Sequence, residues 1–581
     1  MIVKIEKFIA EINNCRNIKK VSPMITNFLG VPLYFGDAYS LKFLDIKKGI
    51  IIFWDDDKLI ISPIFKEEYN ICSSCFLEWK ELLKKRNDNI RKSEILVTKD
   101  PNFFEDKIKI ILTQLLNIKA TPPFFDYFIF EDSQIKRETF FRVSQCDYCI
   151  SSKEFDYSYL KDRLEKNKVM ASSLRTKIID FSKLVKLDNR DTGLFTFEST
   201  TFLKNSFSVE LQLPTTNEQI SGIGIDDTYS KAKTKAFLEA LERYCGIFSK
   251  GSERFKYSLK ELSNRNINFY NPNNYLVDIG KSQINANQKI YWILGFDYET
   301  QKNILIPEDF IIYKTERTSK LDKIINMSSN GHAVGANYDE AIIFSLFEMY
   351  ERDNFLLFWY EERIPKEVDQ ETINDGDIEY YIKLIKSLGY DIYIYQLHTN
   401  HLVNVYWTFA IGKTRDKFAT YSTAGAHFYS KTAIISGLKE LYFALVAYNE
   451  DIKNIKIKAL NMKEENILTV SDHAIYYSIE DRIHNFDFLK YAEKISYKRE
   501  LDYELDQEKY CKKLLQYTEN LFGKIIIVDN TPIGIKEIGL SEVKVFVPNM
   551  QDMSFGYENQ FINKKRINVG INKKRPPHPF P

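Results

Sequence analysis

The sequence predicts an α+β protein. A large C-terminal domain, residues 187–581, follows a smaller α/β module over 1–165 and a charged helical connector over 166–186. Three observations carry this reading. Short runs rich in β-branched and aromatic residues alternate with helical patterns along the whole chain. One turn-and-helix layout recurs three times in the C-terminal part, so dividing that part would separate the copies. Two Cys-x-x-Cys pairs occur, both in the N-terminal part.

In the module, residues 49–53, 59–64, 108–112 and 127–130 read as strands and 78–86 as a helix. Further on, 288–294, 390–396 and 524–528 read as strands between helices.

The recurring segments are GIGIDDTYSKAKTKAFLEALERY (222–244), GHAVGANYDEAIIFSLFEMYER (331–352) and AGAHFYSKTAIISGLKELYF (424–443). Each has an Ala seven residues before a Glu: Ala232 and Glu239, Ala341 and Glu348, Ala433 and Glu440. The first two add a second Glu three residues on, then an Arg: Glu242 and Arg243, Glu351 and Arg352. The third has Phe443 instead. Side chains at i and i+3 share a helix face, so each pair aims two carboxylates one way. Two such helices together would place four carboxylates in one region, stable only with cations among them. Oxygen ligands suit Mg2+, which binds alongside substrate phosphates. Glu239, Glu242, Glu348 and Glu351 are the expected ligands, with Arg352 as a phosphate clamp. The same spacing also fits structural ion pairs on amphipathic helices.

These segments resemble the YcaO family. The likeness lies in the Ala232–Arg243 and Ser329–Arg352 runs, LDNRDTGLF (187–195) and VKVFVPNM (543–550), and covers about residues 185–581. It implies an ATP- and Mg2+-binding fold without the common Gly-rich phosphate loop, and no G-x-x-x-x-G-K-[ST] occurs. It also implies nucleotide contacts for Glu340 and Arg352. Two positions depart from the pattern: Lys235 where a nucleotide-contacting Ser is usual, and Ala336 where an Asn is usual.

The chain ends Pro577-His578-Pro579-Phe580-Pro581. Alternating prolines make an extended strand that loses little entropy on docking; an ordinary terminus of this length would be disordered. The ending resembles the PxPxP tail of azoline-forming YcaO cyclodehydratases. That likeness implies a tail reaching the active site, with the Pro581 carboxylate ordering the site or taking a proton. The preceding Lys564, Lys565, Arg566, Lys573, Lys574 and Arg575 read as a solvated basic segment.

Cys72, Cys75, Cys146 and Cys149 form CxxC…CxxC, which fits a closed structural Zn2+ shell. Reduced thiols or a redox pair fit the same residues. Their surroundings, over residues 30–155, resemble a truncated zinc-bearing part of ThiF-like proteins. Cys245, next to the first paired-Glu helix, reads as packed core.

A chain of 581 residues holds more than one domain, and its net charge of +1 argues against nucleic acid as a partner. Sparse cysteine and the lack of a signal-peptide core or a membrane-length apolar run point to the cytoplasm. The resemblances together imply an ATP-dependent cyclodehydratase of thiopeptide or heterocycloanthracin type. It would convert Cys, Ser or Thr of a ribosomal precursor peptide to azolines. A separate ThiF-like leader-binding helper and an azoline dehydrogenase would be its partners, and a homodimer is one option for the chain. Thioamide or amidine formation, and a non-catalytic peptide scaffold, are the alternatives.

Overall fold

The apolar runs of the N-terminal module become one six-stranded sheet in the computed structural model. The structure describes residues 5–14, 23–38, 41, 44, 46–55, 58–69, 71–77, 80, 101–118, 124–131, 134–141, 184, 187, 194–195, 197–203, 206–213, 220–247, 254–313, 323–498, 506–568 and 576–580. Strands β1 (Met24–Phe28), β2 (Val31–Phe35), β3 (Ile50–Asp55), β4 (Lys58–Ile61), β5 (Phe124–Glu131) and β6 (Gln134–Phe141) lie side by side in chain order. Only the β2–β3 pairing is parallel. Successive side chains of a strand face opposite ways. Ile50 and Ile52 accordingly pack with Phe8 and Ile12 of α1 (Ile5–Asn14), while Ile51 and Phe53 join a second cluster with Cys72 and Phe76. Burial on both faces explains why β3 reads as a continuous apolar run.

One expected strand is a helix. Residues 108–112 lie inside α2 (Pro101–Asn117), and Ile108, Ile111, Leu112 and Leu115 bury along one stripe of it. That i, i+3, i+4, i+7 spacing is helical, and the short IKIIL run hid it. Apart from Lys80 and Leu184, the expected 78–86 helix and the 166–186 connector lie outside the described residues.

The C-terminal part holds three sheets. The first is β7 (Phe197–Leu203), β8 (Ser206–Leu213) and β9 (Ile220–Asp226). The second contains β10 (Arg254–Ser258), β11 (Lys289–Asp297), β12 (Lys302–Pro307), β13 (His332–Gly335), β19 (Ile526–Asp529) and β20 (Ser541–Phe546). Its order is β10-β11-β19-β20-β13, with β12 also on β11. The third runs β17-β16-β15-β14-β18, from β14 (Lys366–Asp369), β15 (Tyr390–Thr399), β16 (Asn404–Gly412), β17 (Thr420–His427) and β18 (Glu493–Ser496).

Each sequence repeat is a strand followed by a helix: β9 then α3 (Tyr229–Ile247), β13 then α4 (Tyr338–Glu361), β17 then α5 (Ser430–Asn449). The strand lies against its helix. At Gly224 a Cβ would sit 1.9 Å from the Ala232 carbonyl oxygen and 2.3 Å from the Ala236 nitrogen, so this approach admits only glycine. Helix α4 is buried almost all round, its Leu346 and Trp359 sharing a cluster with Val543 and Val545 of β20 and Trp407 of β16. It therefore joins the second sheet to the third. Among the described residues no helix is long and apolar enough to cross a membrane.

Candidate active site

The site is built on α4. Asn337 caps the helix by accepting from the Glu340 N–H at 2.9 Å, and Asp339 and Glu340 place negative charge at its positive end. The Glu340 carboxylate reaches back to the Ala336 N–H at 3.1 Å, so Ala336 takes part through its backbone alone. Burial raises the Glu340 pKa, and that hydrogen bond opposes the rise.

Two turns on, Glu348 accepts from the Gly331 N–H at 2.8 Å and from Arg352 at 2.7 Å. Gly331 has φ +77°, and a Cβ on it would lie 2.5 Å from the Val545 carbonyl oxygen. Only glycine brings the backbone to the carboxylate here. The loop is secured from below. Asn330 donates to Asp552 at 2.5 Å, and the buried Lys544 ammonium donates to the Asn330 carbonyl. The next residue, His332, faces the Ile311 carbonyl through Nε2 at 2.8 Å and Glu542 through Nδ1 at 2.7 Å. Burial lowers the His332 pKa to about 3 and raises that of Glu542 well above the carboxylate range. Burial thus disfavours the charged form of each, and Nε2, which faces a carbonyl, is the nitrogen that donates.

Helix α3 supplies the facing carboxylates. Glu239 accepts from the Ile223 N–H at 2.6 Å and from Arg243 at 2.5 Å. Glu242 carries a pKa raised well above normal, first by burial and then by the charges of Glu348 and Glu239. Glu351 is pushed up to about 8 by burial and the Glu440 charge, against the pull of Arg352. Glu440, on α5, rises to about 7 through desolvation and Glu239, again opposed by Arg352. The Glu440 side chain is exposed to solvent although protein surrounds it, so water screens part of that shift. Carboxylates from all three repeats thus repel one another across one region.

The six residues expected at the site, Glu239, Glu242, Glu340, Glu348, Glu351 and Arg352, lie on α3 and α4. Glu440 completes the set from the third repeat. Its signal in the sequence is the Ala433-to-Glu440 spacing, without a second Glu. Lys235 is committed elsewhere, paired with Asp226 at 2.7 Å and donating to the Ile225 carbonyl. Cys245 is buried core, its thiol pKa raised well above normal by burial and by Glu542.

Among the described residues no three His, Cys, Asp or Glu side chains stand in ligating geometry. Glu239 and Glu348 instead turn their oxygens to Arg243 and Arg352. The donor chemistry still fits Mg2+, which takes one or two carboxylates and completes its shell with water and phosphate. An anion fits too, because the buried Nε of Arg352 has no hydrogen-bond partner among the described residues.

For the expected zinc shell, Cys72 and Cys75 are buried with sulfurs 3.7 Å apart. Cys146 and Cys149 lie outside the described residues.

The tail docks. Pro577, His578, Pro579 and Phe580 are buried, and Pro581 lies outside the described residues. The basic stretch before it is not simply solvated. Arg566 makes a bidentate pair with the fully buried Asp353, and Lys565 pairs with Asp278 at 2.7 Å. Burial of Asp353 requires a cation, and Arg566 provides it. Lys573, Lys574 and Arg575 lie outside the described residues. Arg352 is near enough to His578 for its charge to lower the His578 pKa, which burial has already depressed.

Residues 223–551 match the family model of YcaO cyclodehydratase, ATP- and Mg2+-binding. A structure titled as a heterocyclase in complex with substrate and cofactor is similar over 89% of this chain and 74% of its own, at 17% identity and a TM-score of 0.64. The heterocyclase TruD is similar over 89% and 72%, at 16% identity and a TM-score of 0.57. YcaO from Methanopyrus kandleri bound with AMPPCP and Mg2+ is similar over 66% and 91%, at 16% identity and a TM-score of 0.47. At these identities the likeness is one of fold. No curated protein matches the chain.

Proposed function

The chain belongs to the YcaO cyclodehydratase family, whose members bind ATP and Mg2+, and from this we propose how it forms azolines in a ribosomal precursor peptide. A Cys, Ser or Thr side chain of the peptide attacks the preceding amide carbonyl, giving an oxyanion on a tetrahedral carbon. That oxygen leaves poorly as hydroxide. Transfer of the γ-phosphoryl of ATP to it, releasing ADP, turns it into phosphate, and phosphate loss closes a thiazoline or oxazoline. Each ring removes one water from the peptide.

One observation carries this reading. Carboxylates from three helices raise one another's pKa beside an arginine with an unsatisfied buried Nε. When bound, Mg2+ neutralises phosphate charge during the transfer. Glu239, Glu242, Glu348, Glu351 and Glu440 would hold it, directly or through water. Arg352 turns from Glu348 toward phosphate, and Glu340 contacts the nucleotide. Gly331 and Asn337 keep Glu348 and Glu340 aimed. Pro577 and Pro579 belong to the docked tail, and the Pro581 carboxylate orders the site or accepts the proton of the attacking group.

The N-terminal module docks a ThiF-like helper that binds the peptide leader, and a dehydrogenase oxidises the azolines afterwards. The pathway is of thiopeptide or heterocycloanthracin type. The module also holds Zn2+. Thiolates about 2.3 Å from a tetrahedral ion stand about 3.8 Å apart, close to the observed Cys72–Cys75 distance. Purified protein should carry equimolar zinc by elemental analysis; zinc-free folded protein rejects that part of the reading.

The decisive experiment combines chain, helper, precursor peptide, ATP and Mg2+. Loss of one water per site with matching ADP release is expected. Sulfur-for-oxygen exchange would make the reaction thioamidation, and no ADP release would leave a scaffold.

Mg2+ binding should also depend on pH. Glu351 and Glu440 have pKa values of about 8 and 7, above the ordinary 4.5. The metal-free folded state therefore holds more protons than the unfolded state between pH 4.5 and 8 and loses stability as pH rises through that window. A cation that replaces those protons gains affinity over the same window. The melting-temperature gain from Mg2+·AMP-PNP should grow from about pH 6 to pH 8.5. A gain independent of pH would count against metal at these carboxylates.

A further inference from the structure

The way the tail is held goes beyond the reaction. Prolines at 576, 577 and 579 have no N–H. Such a strand offers carbonyls and almost no donors, so it cannot pair into a sheet. Its backbone can be fixed by hydrogen bonds chiefly through donors brought to its carbonyls. Three successive carbonyls here each accept one side-chain donor. The Trp359 indole donates to Pro576 at 3.2 Å, the Tyr477 hydroxyl to Pro577 at 2.5 Å, and His473 to His578 at 2.8 Å.

The His473 tautomer is settled by its other nitrogen. Nε2 accepts from the Gly556 N–H at 3.2 Å, so Nδ1 carries the proton that goes to the tail. A proline-rich strand turns once in three residues, so its carbonyls face different sides. The donors accordingly come from two places: Trp359 from α4, His473 and Tyr477 from α6 (Val470–Tyr476) and the residue that caps it. The imidazole of His578 stacks on His473 with centroids 4.1 Å apart, and its Nε2 faces the Ser554 carbonyl at 3.0 Å. Phe580 packs edge-on against Phe355 at 5.0 Å.

We propose that Trp359, Tyr477 and His473 form a receptor for a proline-rich strand, that its occupant is the chain's own C-terminal segment, and that the three donors set its register. Packing alone would let such a strand slide, whereas one donor per carbonyl does not. These residues position the tail and do not touch reacting atoms.

The test uses the full chain, carboxypeptidase Y and intact mass over time. No nucleotide or peptide substrate enters the assay, so failure of the proposed chemistry leaves its result untouched. Tyr477→Phe and Trp359→Phe remove a donor and keep the ring. With the melting temperature near that of the parent, each should speed release of C-terminal residues about tenfold, the cost of leaving one buried carbonyl unpaired. His473→Ala should do the same or more. Release at the parent rate in both Tyr477→Phe and Trp359→Phe would overturn the receptor. Should His473→Ala fail to fold, those two variants decide.

Discussion

Replacing Glu351 with glutamine should lower ADP release from Mg2+·ATP by about a thousandfold, while making the metal-free protein more stable. The first effect follows from removing a carboxylate proposed to hold cation at the transferring phosphoryl group, a contribution of several kcal/mol at about 1.4 kcal/mol per tenfold. The second follows from the Glu351 pKa of about 8, raised by burial and by the Glu440 charge. A neutral amide of the same shape relieves that repulsion at and above pH 8. Loss of activity with gain of stability marks a group kept for function at a structural cost. Melting curves with and without Mg2+·AMP-PNP, beside an ADP assay, measure both. A Glu351→Gln protein that melts lower than its parent and responds fully to Mg2+·AMP-PNP would show a structural residue instead. Glu440→Gln should follow Glu351→Gln in direction, with a smaller rise in melting temperature because water reaches Glu440.

Glu440 also shows what a sequence reveals and what it hides. The first two repeats declare themselves through paired glutamates at i and i+3, a spacing that survives folding unchanged because it is local to one helix. Convergence of a third helix depends on pairing between strands far apart in the chain, and no local pattern encodes that. The Ala-to-Glu spacing did carry the hint. The second Glu is not needed, because a helix needs only one side chain at the right height to join a cluster. Arg566 hides its partner for the same reason. A basic run looks solvated until a buried acid is found opposite it, and Asp353 lies 213 positions away. The expected strand at 108–112 failed differently. A five-residue apolar run fits either periodicity, and only burial of Leu115 on the same stripe as Ile108 shows which one operates. Gly331 was legible as part of a motif. Its physical task, holding a backbone N–H against Glu348, required the left-handed turn to be seen.

Asp353→Ala should be among the most destabilising single changes in the C-terminal domain. Both Asp353 oxygens are used: they accept from Arg566 Nε and Nη2, and one also accepts from the Gln551 N–H at 2.8 Å. Truncation strands a guanidinium and a backbone donor in a buried place, at a cost of about 3–5 kcal/mol. In a domain of this size that corresponds to a fall of about 5 °C in melting temperature. Arg566→Met should cost a similar amount by stranding the carboxylate. The double variant Asp353→Leu with Arg566→Met leaves no buried charge and should melt higher than either single variant. The tail should respond to a different rule. Its upstream end is tied to α4 through this pair and through Asn568, whose N–H donates to Glu361 at 2.7 Å. Its docked end is held by Trp359, Tyr477 and His473. If the two anchorages are separate, the double variant recovers stability, and Pro577–Phe580 stays as protected from carboxypeptidase as in the parent. If protection falls while the melting temperature recovers, the Arg566 pair sets the position of the tail, and the donors to its carbonyls only follow.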